Sequence, residues 1–163
     1  MASMPDEATP RPRFRPWRAS DRAAGLALFA SNVPAFFDES ERADFSALLD
    51  APPPSYTLMH DAAGEALGCG GYAFDAHAPE IVWLCWGMVR GDLHGRGLGS
   101  ALLRHRLMRI AAEPAAREVR IETSQRGEGF FARHGFIARK RVIDGFARGY
   151  DLIDMAFVLP ETH

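Results

Sequence analysis

Ile81-Val82-Trp83-Leu84-Cys85-Trp86-Gly87-Met88-Val89, then Arg90-Gly91-Asp92-Leu93, then His94-Gly95-Arg96-Gly97-Leu98-Gly99-Ser100 is the stretch on which the fold turns. Its first segment, Ile81 to Val89, carries no charge and no alternation of apolar with polar, the pattern of a strand covered on both faces. From Leu98 apolar residues recur at Ala101, Leu102, Leu107, Ile110 and Ala111 until Pro114, which predicts a helix whose first turn is loaded with glycine. The opening amides of a helix lack an internal acceptor, and the helix dipole places partial positive charge on them. Glycines let a ligand approach the bare backbone and Arg96 adds a full charge, so this turn is expected to hold pyrophosphate or a similar anion.

Three kinds of glycine-rich turn compete for the reading. A nucleoside-triphosphate loop needs Gly-x-x-x-x-Gly-Lys-Ser/Thr, and the only lysine of the chain is Lys140. A dinucleotide-binding Gly-x-Gly-x-x-Gly fits Gly95 and Gly97 but meets Ser100 at its third glycine, which argues against a nicotinamide-dependent oxidoreductase. The run from Val89 through His94-Gly95-Arg96-Gly97-Leu98-Gly99 to Leu103 resembles the signature turn of the GNAT (Gcn5-related N-acetyltransferase) superfamily, Gln/Arg-x-x-Gly-x-Gly/Ala after a strand ending in valine, with His94 in the place of the usual glutamine or arginine. Phe130-Phe131-Ala132-Arg133-His134-Gly135-Phe136 is similar to a second segment of that family, Phe/Leu-Tyr-x-x-x-Gly-Phe. The resemblance extends over roughly Arg13 to Leu159.

The resemblance implies an α+β fold, an α/β/α sandwich around a mixed, mostly antiparallel sheet. Its central parallel pair, Ile81 to Val89 beside Val119 to Thr123, would splay and hold the pantetheine arm of acetyl-CoA. It further implies that the Val89 N–H holds the thioester carbonyl, with Met88 and Arg90 flanking it, and that the amides of Gly95, Arg96, Gly97, Leu98, Gly99 and Ser100 hold the pyrophosphate. His94 reads as a phosphate contact of the loop or a capping residue. Ser124 stands where the family has an asparagine that hydrogen-bonds the pantetheine, and Phe131 stands where many members carry the tyrosine that protonates the leaving sulfur. Phenylalanine has no proton to give. No glutamate lies between Trp83 and Val89, so the base is sought at Glu80, Glu122 or His77, against solvated-turn roles for Glu80 and His77 and an ion pair with Arg120 for Glu122.

The acceptor side is outlined by Phe36 and Phe37, in the segment joining the first two helices, together with Trp83, Trp86 and Tyr150; core packing is the competing reading of the phenylalanine pair. The activity implied is N-acetyl transfer from acetyl-CoA to a primary amine of a small molecule or peptide. The alternative from another class is a CoA-binding sensor or interaction module with little or no catalysis, a reading that the missing tyrosine and central-strand glutamate sustain.

Composition narrows the field. A chain of 163 residues with 47% hydrophobic residues builds one core, so a single domain over 13–160 is expected behind a disordered tail from Met1 to Pro12. A net charge of -2 offers no broad basic surface for nucleic acid. The six histidines lack His-x-x-x-His spacing, so no metal is expected. No apolar segment reaches membrane-spanning length and no signal core precedes Arg13. Cys69 and Cys85 read as buried free thiols, which suits a cytoplasmic protein. Oligomeric state is left open, a homodimer among the alternatives.

Periodicity and turn chemistry divide the rest of the chain. Arg13 to Trp17 reads as a strand, Ser20 or Asp21 caps a helix to Ala30, and Glu41 to Leu49 forms another. Tyr56 to His60 and Ala66 to Phe74 read as a hairpin in which Gly68 to Gly71 mark a bulge or a close backbone approach. A short helix is expected over Gly129 to His134, a strand over Phe136 to Val142, a loop over Asp144 to Gly149 and a last strand over Tyr150 to Leu159. The basic residues between Leu102 and Arg109 read as a solvated helix face.

Overall fold

A computed structural model describes residues 9–161. Most of the expected amino-terminal tail lies outside the described residues. Strands β1 (Arg13–Pro16), β2 (Thr57–His60), β3 (Ala66–Phe74), β4 (Ile81–Val89), β5 (Glu118–Thr123), β6 (Ile137–Ala147) and β7 (Tyr150–Val158) form one sheet in the order β1-β2-β3-β4-β5-β7-β6. Every neighbouring pair is antiparallel except β4 and β5. The helices are α1 (Arg22–Ala30), α2 (Arg42–Asp50), α3 (Leu98–Ala111) and α4 (Gln125–Arg133). This is the GNAT-like mixed sheet with a central parallel pair that the two motifs imply.

Alternation along the strands sorts the helices onto two faces. Cys69 and Met88 face Leu28, Phe29, Phe45 and Leu49 of α1 and α2. Val89, next to Met88, faces Leu98 and Leu102 of α3, and so does Leu67, which the register shift between β2 and β3 turns out of step with Cys69. Val82, Leu84, Val119, Ile121, Ile153 and Met155 complete the core beneath α3 and α4. Asp21 starts α1, its carboxylate accepting from the Arg18 amide and from both Nη atoms of Arg15, and the Arg15 guanidinium holds it below the usual carboxylate range.

The glycine cluster of β3 meets both expectations placed on it. The register slips between Cys69 and Gly71, and opposite the slip Trp86 takes a φ of 38°, a bulge in the middle of β4. A Cβ on Gly68 would lie 2.5 Å from the Met88 carbonyl oxygen, and one on Gly70 3.2 Å from Gly87 Cα. The two backbones touch.

Three readings need correction. Helix α4 begins at Gln125, ahead of Gly129, because Ser124 caps it, Oγ accepting from the Arg126 amide at 3.2 Å. Strand β6 runs on to Ala147, through most of the expected loop; Asp144 Oδ1 accepts from the Gly149 amide at 2.7 Å, and Gly149 takes a φ of 82°, which tightens the turn to Arg148 and Gly149. The solvated face of α3 is not uniform either. Arg106 is 3% exposed, and Arg109 donates to the Ser55 carbonyl and to Thr57 Oγ1.

Candidate functional site

Strands β4 and β5 pair only at Ile81↔Glu118, Val82↔Val119 and Trp83↔Arg120, and then part. From Leu84 onward the edge of β4 facing β5 has no paired strand, so a wedge opens toward the glycine turn. The Arg90 amide donates to Leu67 of β3 at 2.8 Å; strand alternation therefore turns the Val89 N–H the other way, into the wedge. The Val89 carbonyl is fixed by two donors, Asn32 Nδ2 at 2.9 Å and His94 Nε2 at 3.0 Å. A carbonyl only accepts, so His94 carries its hydrogen on Nε2.

At the wedge mouth stands the first turn of α3. Gly97 occupies the cap position with a φ of 83° and no side-chain bond, and Gly95 has a φ of 79°. Nothing lies within 4 Å of a Cβ on either one. Among the described residues the amides of Leu98, Gly99 and Ser100 meet no acceptor, the next amide, that of Ala101, being the first to bond back, to Gly97. Arg96 is exposed beside them. Free amides, open approach and a neighbouring cation fit the pyrophosphate of CoA. Ser100 Oγ meets His134 Nε2 at 2.9 Å, which ties this turn to the end of α4, and desolvation lowers the His134 imidazole below its ordinary range.

The segment between α1 and α2 roofs the wedge. Arg126 Nη1 donates to the carbonyls of Pro34 and Ala35 at 2.5 and 2.8 Å, and Tyr150 Oη donates to Pro34 at 2.6 Å. Phe36 lies on the His94 ring at 4.4 Å, at the mouth, while Phe37 packs on Phe29 and Trp86 in the core. Trp83 sits apart from both, at the apex, its Nε1 bonded to Asp75 at 3.0 Å. The three expected acceptor contacts are thus not brought together.

The three candidate bases are not brought together either. Glu80 is an exposed turn residue at the closed end of the parallel pair, roughly 20–25 Å of strand below Gly87. His77 is exposed in the same turn. Glu122 lies just past the last β4–β5 pair, on the face opposite Ile121, and directly across from Asp154 of β7. Desolvation, then the Asp154 charge, push its carboxyl above the ordinary glutamate range, with Lys140 opposing. Asp154 Oδ1 is buried without a partner among the described residues.

The sequence profile of the Acetyltransferase (GNAT) family matches residues 22–136, which span both the wedge and the glycine turn. The chain belongs to the GNAT acetyltransferase family. It is an acyl-CoA-dependent N-acetyltransferase by that membership. Solved structures agree in fold. Ard1 from Thermoplasma volcanium matches with a TM-score of 0.75 at 16% identity over 92% of this chain and 99% of that one. The NatC complex bound to Gag peptide and CoA gives 0.71 at 15% identity over 92% and 99%. The acetyltransferase yncA from Salmonella typhimurium, solved with acetyl-CoA, gives 0.67 at 18% identity over 94% and 96%. No curated protein matches the sequence significantly.

Within this GNAT frame Ser124 is 8% exposed and its oxygen is engaged as the α4 cap, leaving the hydroxyl hydrogen free to donate. Phe131 packs against Phe130 and Phe136, 9% exposed. No helix is long and apolar enough to cross a membrane, and no cluster of metal-ligating side chains occurs among the described residues. Sequence reasoning missed Asn32, Arg126, Asp154 and Arg106. Of these only Arg106 left a signal, since it falls in the helical stripe Leu98, Leu102, Arg106, Ile110.

Proposed function

We propose that this enzyme moves an acetyl group from acetyl-CoA to a primary amine of a small molecule or peptide, the two substrates meeting in the β4–β5 wedge. The observation that carries the reading is the parting of the parallel pair beside three unbonded α3 amides. Bound acetyl-CoA supplies an activated thioester. The amides of Leu98, Gly99 and Ser100, reached past Gly95 and Gly97, hold its pyrophosphate with Arg96, and Ser124 lines the pantetheine path, while the Met88 side chain turns into the core against Leu28 and Phe29. The Val89 N–H donates to the carbonyl oxygen and stabilises the negative charge that develops there.

The amine approaches from the α1–α2 face, past Phe36, since Glu122 opens on that side. Glu122 and Asp154 draw the ammonium form, and Glu122 takes its proton. The neutral amine then attacks, the C–N bond forms as the C–S bond breaks, and the nitrogen's second proton passes to the departing thiolate or to solvent. The thiolate is tolerable as a leaving group without a side-chain acid because a thiol has a pKa near 8.5. An acid should still help. Phe131→Tyr is expected to raise kcat about tenfold, below the usual range for a general acid because the ring must keep its packing; an unchanged or lower kcat in a folded variant would remove the residue from the sulfur's neighbourhood. The unpaired thiols Cys69 and Cys85 favour a reducing, cytoplasmic setting.

The direct test is thiol release from acetyl-CoA with polyamines, amino acids, peptide amino termini and lysine peptides as acceptors. Acceptor-dependent release is the expected result. CoA uptake with no release for any amine would favour the CoA-binding module instead.

A further inference from the structure

Strand β4 loses its β5 partner after Trp83, so backbone groups on that edge must find partners elsewhere or stay bare. At Val89 the N–H and the carbonyl both project from the abandoned edge, because the other edge is spent on β3, where the Arg90 amide donates to Leu67. No strand meets the N–H. The carbonyl is met by two side chains, Asn32 Nδ2 at 2.9 Å and His94 Nε2 at 3.0 Å, which stand where a strand would. Upstream, the bulge at Trp86 leaves the end of β4 free to twist. What checks that twist is the peptide joining Val89 to Arg90, held by Asn32 and His94 at its carbonyl and by Leu67 at its N–H.

Asn32 is 1% exposed, so solvent has little access to take its place. Its Nδ2 also donates to the Leu28 carbonyl at 2.9 Å, one of the carbonyls that the end of α1 leaves without a helix amide. Both acceptors are carbonyls, so the nitrogen of the side chain faces them and both of its hydrogens are in use. The main chain of the same residue reaches the other way. Its carbonyl accepts from the amides of Phe36 and Phe37 at 2.8 and 3.1 Å. Beside it Ser31 Oγ accepts from the Gly91 amide at 2.9 Å, and a Cβ on Gly91 would collide with the Ser31 carbonyl, so the end of α1 lies against the turn that follows β4. One residue thus grips the donor strand with its side chain and the acceptor segment with its backbone.

We propose that Asn32 is a positioning residue for the transfer. Its side-chain amide replaces the missing β5 partner of Val89, keeps the Val89 N–H aimed at the thioester carbonyl, and ties that donor to the segment past which the amine enters. This rests on the reading that the thioester lies in the wedge at Val89. A donor to the developing oxyanion acts only while it stays about 3 Å from that oxygen, and a displacement of about 1 Å can cost a hundredfold in rate. The pyrophosphate is held elsewhere, by the Leu98, Gly99 and Ser100 amides, which have no bond to Asn32. Loss of the Asn32 amide therefore acts on the chemical step and leaves the grip on the coenzyme in place.

The test compares kcat, from acceptor-dependent thiol release at saturating acetyl-CoA and amine, with the calorimetric affinity of the full chain for CoA. Asn32→Leu, nearly the same volume without a donor, should lower kcat about thirtyfold, short of the outright loss of an oxyanion donor because His94 still holds the carbonyl. Its affinity for CoA should stay within about twofold of wild type, a split that a general loosening of the fold would not give. Asn32→Ser keeps one donor hydrogen and should retain severalfold more kcat than the leucine variant. It serves should that variant not fold, and the same comparison of kcat with CoA affinity then decides. A kcat within about twofold of wild type in the folded variant, or a loss of CoA affinity as large as the loss of kcat, overturns the assignment while wild-type turnover upholds the wedge. A wild type that releases no thiol with any amine overturns the transfer reading and this assignment with it.

Discussion

Gly97→Asp is expected to weaken CoA binding about a hundredfold while the protein stays folded. Gly97 caps α3 with a φ of 83° and no side chain, so the amides of Leu98, Gly99 and Ser100 are left for a ligand. An aspartate there is the side chain best suited to bond those amides itself. It would occupy the donors and set a negative charge against the pyrophosphate, each effect worth about 1–3 kcal/mol. Strain from placing a side chain at positive φ costs about 1–2 kcal/mol, and the new cap returns about 1 kcal/mol, so the melting temperature should move little. Gly97→Asn separates charge from occupancy and should lose about tenfold. Calorimetric titration with CoA and thermal unfolding measure both quantities. Undiminished affinity in the aspartate variant would mean that the pyrophosphate is held elsewhere.

That turn was the most legible part of the chain, for a physical reason. A helix that opens on Gly95, Gly97 and Gly99 sacrifices local stability, and the sacrifice is visible as composition. The central strand was legible because a two-sided burial leaves no polar residue in it. The wedge was not legible from composition or periodicity. It depends on where β5 stops pairing with β4, a matter of register and of the Trp86 bulge that no local propensity records; only the resemblance to a family supplied it.

The errors share a cause. Gly127 and Gly129 look like breakers, yet α4 runs through both, because a cap at Ser124 and the packing of Phe130 and Phe131 on the core outweigh their propensity. The arginines of α3 look solvated because charge usually is, and Arg106 goes inward only because Gly70 and Gly87, remote in sequence, clear the space. Phe36 and Phe37 are adjacent in the chain but part at the site, one to the mouth and one to the core. Side chains that act through long-range neighbours, as Asn32 does on Val89 and Arg126 on Pro34, carry no local mark at all.

Glu122→Gln should lower kcat by at least a hundredfold, the usual range for loss of a general base, and should abolish the acid limb of the pH profile. In the proposed role only ionised Glu122 accepts the proton of the amine, which would give the limb. Its carboxyl is held above the ordinary value of about 4.3 by desolvation first and by Asp154 second, so activity should fall with acid at a higher pH than an unperturbed glutamate would give. Asp154→Asn removes the repulsion and should shift the limb toward lower pH. The sign of the stability effect separates this role from a structural one. A carboxyl whose folded value is raised favours the fold when protonated, and that contribution is lost as the pH rises through the folded value. At pH 7 the ionised Glu122 therefore lends the fold nothing through its shift, and the glutamine variant should melt no lower than wild type. A glutamine variant that keeps its rate, or an acid limb that persists unchanged in it, would pass the base to another group on the α1–α2 face.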